Sequence, residues 1–116
     1  MTYAPAFQSF AWMSGDQVQL NFTVTDNNGD AVDLTDGSGR FAMARSVADS
    51  PDIDSDDSTA TVTVTDATNG AVNVVITDEN TEALSGDYYW EFKWTDSSSR
   101  EAVVARGIIT FEVNLT

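Results

Sequence analysis

The sequence predicts an all-β fold, an immunoglobulin-like β-sandwich of about seven to nine antiparallel strands with one short helical turn. Three observations point there. Apolar and polar residues alternate strictly from Gln17 to Thr25, with Val18, Leu20, Phe22 and Val24 on one face and Gln17, Gln19, Asn21, Thr23 and Thr25 on the other. Turn signals such as Asn28-Gly29 and Asn69-Gly70 recur at roughly ten-residue spacing, the rhythm of a sandwich. The chain of 116 residues contains no cysteine, yet is long enough to bury a core without disulfide or metal support.

Each element has its own justification. Ala6 to Trp12 reads as a short first strand or an arm, with Phe7 and Phe10 apolar and Pro5 at the start, where a missing N–H does least harm. Gln17 to Thr25 is the second strand. After the Asn28-Gly29 turn, Ala31-Val32-Asp33-Leu34 is expected as a short strand and 35–39 as a loop. Arg40 to Arg45 follows as a strand with Phe41 and Met43 on one face.

Residues 46–58 hold Pro51 and the run Asp52, Asp54, Asp56, Asp57, and are expected to be a mobile or partner-ordered loop. Thr59 to Thr65 and Ala71 to Thr77 form a hairpin through Asn69-Gly70, with Val72, Val74 and Ile76 inward. Asp78 to Leu84 is the one helical candidate, capped by Thr77 or Asp78 and ended by Ser85-Gly86. Asp87 to Thr95 places Tyr88, Trp90, Phe92 and Trp94 on one face and Tyr89, Glu91 and Lys93 on the other. Arg100 to Leu115 is the last strand, expected to bend at Gly107, with Ile109, Phe111 and Val113 alternating. The chain thus divides into 1–14, an N-terminal arm or first strand, and 15–116, a single sandwich domain.

Fourteen Asp and five Glu face four Arg and one Lys, for a net charge of −14. Such a surface repels nucleic-acid phosphates and anionic lipid, so neither nucleic acid nor membrane is an expected partner. The acidity serves solubility or adaptation to salty water. No apolar run approaches the ~20 residues of a membrane span. Met1 to Pro5 has neither the basic nor the apolar region of a secretory signal, and use without export through that route is expected. Without cysteine there is no disulfide framework and no thiolate metal site, and the redox compartment stays open.

The residue types argue against catalysis. Nucleophilic triads need a base, and the chain has no histidine; Lys93 lies between aromatic positions on the outward face of a strand. Glu91 and Glu112 lie on the two strands expected to pair and form a candidate carboxylate pair. With nineteen acids in the chain, however, such pairs arise by chance. Asp52-x-Asp54-x-Asp56-Asp57 alternates oxygen ligands but lacks glycine at the sixth position and Glu at the twelfth, where Thr63 stands. Asp26-x-Asn28-x-Asp30 fails in the same way. A solvated acidic loop is the expectation, with cation binding by 46–58 left open. No cofactor and no small-molecule substrate are expected. The stripe Tyr88, Trp90, Phe92, Trp94 fits either a sugar-stacking face or a core, and its strict period in a central strand favours core.

A family resemblance rests on the motif Gly15-Asp16, then Leu20-x-Phe22-x-Val24-x-Asp26-x-x-Gly29-x-x-Val32-Asp33-Leu34-Thr35. With Leu84-x-Gly86-x-Tyr88-x-Trp90-x-x-x-Trp94-x-Asp96 and Gly107-x-Ile109-x-Phe111-x-Val113, it resembles small β-sandwich virion proteins of tailed bacteriophages. The N-terminal domain of phage upper baseplate proteins is the best-known relative. The resemblance spans about Gly15 to Thr116 and implies a fold and a virion location, with no active site to carry over. Baseplate members continue into a stalk or receptor-binding module, whereas this sequence stops after one sandwich. A small accessory subunit in many copies is therefore expected.

The expected function is a non-enzymatic virion structural protein, a capsid decoration (cement) protein bound to the major capsid protein shell. The alternatives are a tail or baseplate component and, less favoured, a carbohydrate-binding module. Expected partners are other virion proteins, with self-association in the particle. The candidate interface is Tyr3, Phe7, Phe10 and Trp12, because four large aromatics in the first twelve residues must pack on their own sandwich or on a partner.

Overall fold

The alternation of residues 17–25 becomes a strand whose burial follows the sequence residue by residue, with Val18, Leu20 and Phe22 inside and Gln19, Asn21 and Thr23 outside. The structure, a computed structural model, describes residues 6–46 and 48–113. Among these residues there are eight strands: β1 (Ala6–Met13), β2 (Val18–Thr23), β3 (Ser38–Ala44), β4 (Ile53–Asp54), β5 (Thr61–Asp66), β6 (Ala71–Ile76), β7 (Gly86–Thr95) and β8 (Glu101–Glu112). A 3₁₀ turn (Ser55–Asp57) follows β4, and one helical turn, α1 (Asp78–Thr81), joins β6 to β7.

The strands form a five-stranded sheet, β1-β8-β7-β3-β4, facing a three-stranded sheet, β2-β6-β5. From β2 onward this is the immunoglobulin arrangement, in which strands two, five and six face the sheet built from strands three, four, seven and eight. One ladder departs from the antiparallel expectation: β1 runs parallel to β8, with Phe10 beside Ile109 and Trp12 beside Phe111. The reason is local. After β1 the chain crosses through 14–17 into the other sheet, so no hairpin dictates the direction of β1 against its neighbour.

The core forms where the two sheets face each other. Trp90, Phe92 and Trp94 are buried from the five-stranded side, and the Phe22 ring stacks on Trp90 and Phe92 at 5.1 and 5.9 Å from the other. Tyr88 is buried near the start of β7, and its hydroxyl accepts a 3.4 Å hydrogen bond from the Ser85 amide, the corner contact common in immunoglobulin-like sandwiches. The Arg45 guanidinium sits 4.2 Å above the Tyr88 ring.

Five expectations need correction. Residues 31–34 do not form a strand: Ala31 makes a single bridge to Thr25, and Val32 and Leu34 bury their side chains while their amides bond to Val24 and Ala67 carbonyls. The segment thus plugs the end of the sandwich. The second half of loop 46–58 is β4 and the 3₁₀ turn, anchored to β3 by an ion pair described below. In β8 the irregularity lies at Val104, one extra residue between the pairs Phe92–Ala105 and Lys93–Val103, so Val104 and Ala105 are both buried in succession. Val113 lies beyond the strand and is exposed. The helical candidate shortens to one turn, where buried Thr81 donates its hydroxyl to the Asp16 carbonyl at 2.8 Å.

Candidate functional site

Three of the four candidate interface residues are described, and β1 divides them between its faces; Tyr3 lies outside the described residues. Phe10 and Trp12 point inward and are half-buried. The Phe10 ring lies 5.9 Å from Trp90, and the Trp12 indole donates to the Gln17 carbonyl at 3.0 Å. Phe7 points the other way and is 64% exposed.

The position of β1 depends on a glycine. A Cβ at Gly107 would lie 1.6 Å from the Gln8 carbonyl oxygen, so only glycine lets the β1 backbone approach β8 this closely. The same carbonyl accepts the Trp90 indole N–H at 3.2 Å.

Outward, the five-stranded sheet presents a row running from Phe7 through Arg106 and Glu91 to Ala42, and beside it Ser9, Ile108, Tyr89 and Ala44. Phe7 and Tyr89, the latter 47% exposed, line a groove of about 300 Å³ with Ala42, Pro51, Glu91 and Arg106. Its wall is aromatic and its floor small, with two acids, Asp49 and Glu91, and one base, Arg106, at hand. Arg40, Lys93 and Arg106, three of the chain's five cations, lie on this sheet face. Sequence alternation had already turned Tyr89 outward. Its nearness to Phe7 follows only from the β1–β8–β7 order.

Asp54 is the buried acid that sequence reasoning assigned to a solvated run. Its carboxylate receives a fork from Arg40, Nε to Oδ1 at 3.0 Å and Nη2 to Oδ2 at 2.5 Å, and Oδ1 also accepts the Asp56 amide. The Arg40 hydrogen bond holds Asp54 well below the usual carboxylate range, outweighing burial, which acts the other way. Arg40 is correspondingly raised, first by its bond to Asp54. Asp56 joins the same guanidinium at 3.2 Å. Ser55 and Thr59 complete the anchor: the Ser55 hydroxyl accepts the Phe41 amide, and the Thr59 hydroxyl spans both backbone groups of Asp54.

The other sequence candidates do not converge. Of the alternating acids of 52–57, Asp54 and Asp56 converge on the Arg40 guanidinium, which takes the place a cation would need. Asp26 spends an oxygen on the Asn28 and Asp30 amides of its own turn. Among the described residues no three His, Cys, Asp or Glu side chains cluster as metal ligands would. Glu91 stands opposite Arg106, whereas Glu112 is beside Met13 at the far end of β8, so the two carboxylates are not brought together. Tyr88, Trp90 and Trp94 are buried and offer no face for a sugar ring.

No curated protein matches the chain. The family described as the BppU N-terminal domain matches residues 8–114, from the middle of β1 to just past β8. With nearly its whole length matched, the chain belongs to this family, the N-terminal domain of the phage baseplate upper protein, and is a structural component of a bacteriophage virion.

Proposed function

We propose that the chain is a non-enzymatic subunit of the phage tail baseplate that positions other virion proteins. The observation that carries this reading is the match to the BppU N-terminal domain over residues 8–114. Capsid decoration, the first expectation from the sequence, draws no support from that membership, which favours the baseplate alternative.

The architecture suits a positioning role. The groove between Phe7 and Tyr89 is the natural contact for a partner, because large aromatics bring area at little entropic cost and are enriched at interfaces. Lys93 and Arg106 on that sheet face also lessen the repulsion that a −14 chain exerts on other acidic proteins.

Copy number and position test the reading. Gold-labelled antibody against this chain on intact particles of the encoding phage should mark the tail end. Densitometry against the major capsid protein should give a small copy number. Labelling over the whole head, at hundreds of copies, would reverse the choice in favour of decoration.

A further inference from the structure

We infer that the free edge of β5 is a self-pairing site, at which two copies of this chain join their three-stranded sheets into one about a two-fold axis through Thr63. β5 is the outer strand of the β2-β6-β5 sheet, so among the described residues one row of its backbone N–H and C=O groups has no strand beside it. Its neighbour across the sandwich flank, β4, is only two residues long. Val64 therefore lies 36% exposed, although it belongs to the inward-facing set with half-buried Val62.

Edges of this kind are usually blunted by lysine, proline or inward charge. This one carries none of them from Thr61 to Thr65, and its irregularity is confined to the end of the strand, where Thr65 bulges out of the ladder with β6 between Val64 and Asp66. β2, β5 and β6, six residues each, hold one charged residue between them, Asp66, in a chain of net charge −14. Two copies repel least where they bring no charge together, and this sheet is where that condition is met.

The sequence of the edge selects the second copy as its occupant. Thr61-Val62-Thr63-Val64-Thr65 reads the same in both directions. Antiparallel pairing centred on Thr63 sets Val62 against Val64 of the second copy, Thr61 against Thr65, and Thr63 against itself. Every valine then meets a valine on the inward side and every threonine a threonine on the outer side. Asp66 falls opposite Ala60, so no acid faces an acid. Such a contact is isologous, as a two-fold demands. It also covers far less than the ~1,200 Å² of a small stable interface, so it is weak in dilute solution and fills when copies are held close together.

Because the test uses the isolated chain, its outcome does not depend on the baseplate reading. The native chain has no cysteine, so single cysteines report cleanly. In about 1 M NaCl, where the Debye length is about 3 Å, Thr63→Cys under mild oxidation should form a disulfide dimer roughly tenfold faster than Asn21→Cys, on the exposed face of β2. Either kind of antiparallel pair places Cα atoms within disulfide reach, at about 4.5 or 5.5 Å. A mixture of Thr61→Cys and Thr65→Cys chains should cross-link to each other faster than either does to itself. Equal rates for Thr63→Cys and Asn21→Cys would overturn the self-pairing and leave the edge to a strand of a different virion protein, as would a mixture that shows no preference.

Discussion

The indole N–H of Trp90 donates to the backbone carbonyl of Gln8 at 3.2 Å, so the central core tryptophan also holds the first strand in place. Gly107 permits that approach. One side chain thereby links the centre of the sandwich to its edge.

Gly107→Ala should displace β1. The added methyl would overlap the Gln8 carbonyl and break its bond to Trp90, a change expected to lower stability by about 1–3 kcal/mol. Hydrogen exchange should show lost protection in 7–13 while β2 and β6 remain protected. Unchanged protection in β1 would contradict this account.

Truncating the aromatic stripe should be severe. Trp94 is buried and packs beside Phe92 with centroids 6.4 Å apart. Trp94→Ala is therefore expected to lose about 3–5 kcal/mol, read from denaturant melts. A soluble variant with an unshifted midpoint would show that the ring is not part of the core.

The Arg40–Asp54 pair makes stability depend on pH in one direction. Arg40 holds Asp54 below its ordinary value of about 3.9, so folding favours the ionised carboxylate. That contribution is complete above the ordinary value and is lost as pH falls through the lower native one. Arg40→Leu should destabilise by about 2 kcal/mol near pH 7, a figure reduced by the half-exposure of Arg40, and by less near pH 2. Equal loss at both pH values would assign the effect to packing alone.

Salt should stabilise the fold. Nineteen acids against five bases repel one another, and screening shortens the Debye length from about 30 Å at 0.01 M to 3 Å at 1 M. Thermal melts should move upward steadily with NaCl. A flat response would contradict this account, and a jump at millimolar calcium alone would point instead to specific ion binding.

How much of this was legible in the sequence depended on distance along the chain. β2 and β7 could be read directly, because a half-buried strand writes its two faces into every second residue, as Leu20 and Phe22 or Trp90 and Phe92 do. The corner at Ser85-Gly86-Tyr88 was visible as a turn before a strand. The Arg40–Asp54 pair was not, since an acid within an acidic run looks solvated until a folded partner removes it from water. The parallel run of β1 was hidden for a similar reason. Gly107 invites a bend when read alone, and its use as a clearance for Gln8 exists only once residues far apart in sequence are neighbours. The exposed candidates split likewise: Phe7 could be named from sequence, but the groove it shares with Tyr89 required the strand order.

The parallel β1–β8 ladder also decides how the domain carries tension. A pull on β1 at Ala6, opposed at Glu112 on β8, drags the two strands in opposite directions along their length. The hydrogen bonds from Ala6–Ala105 to Met13–Glu112 are then loaded together, in shear, and must fail as a set. Had β1 run antiparallel to β8, the same two strand ends would have lain side by side and the ladder would have opened one rung at a time. The direction of a single edge strand thus makes this sandwich a stiff mechanical link between whatever is attached at its two ends.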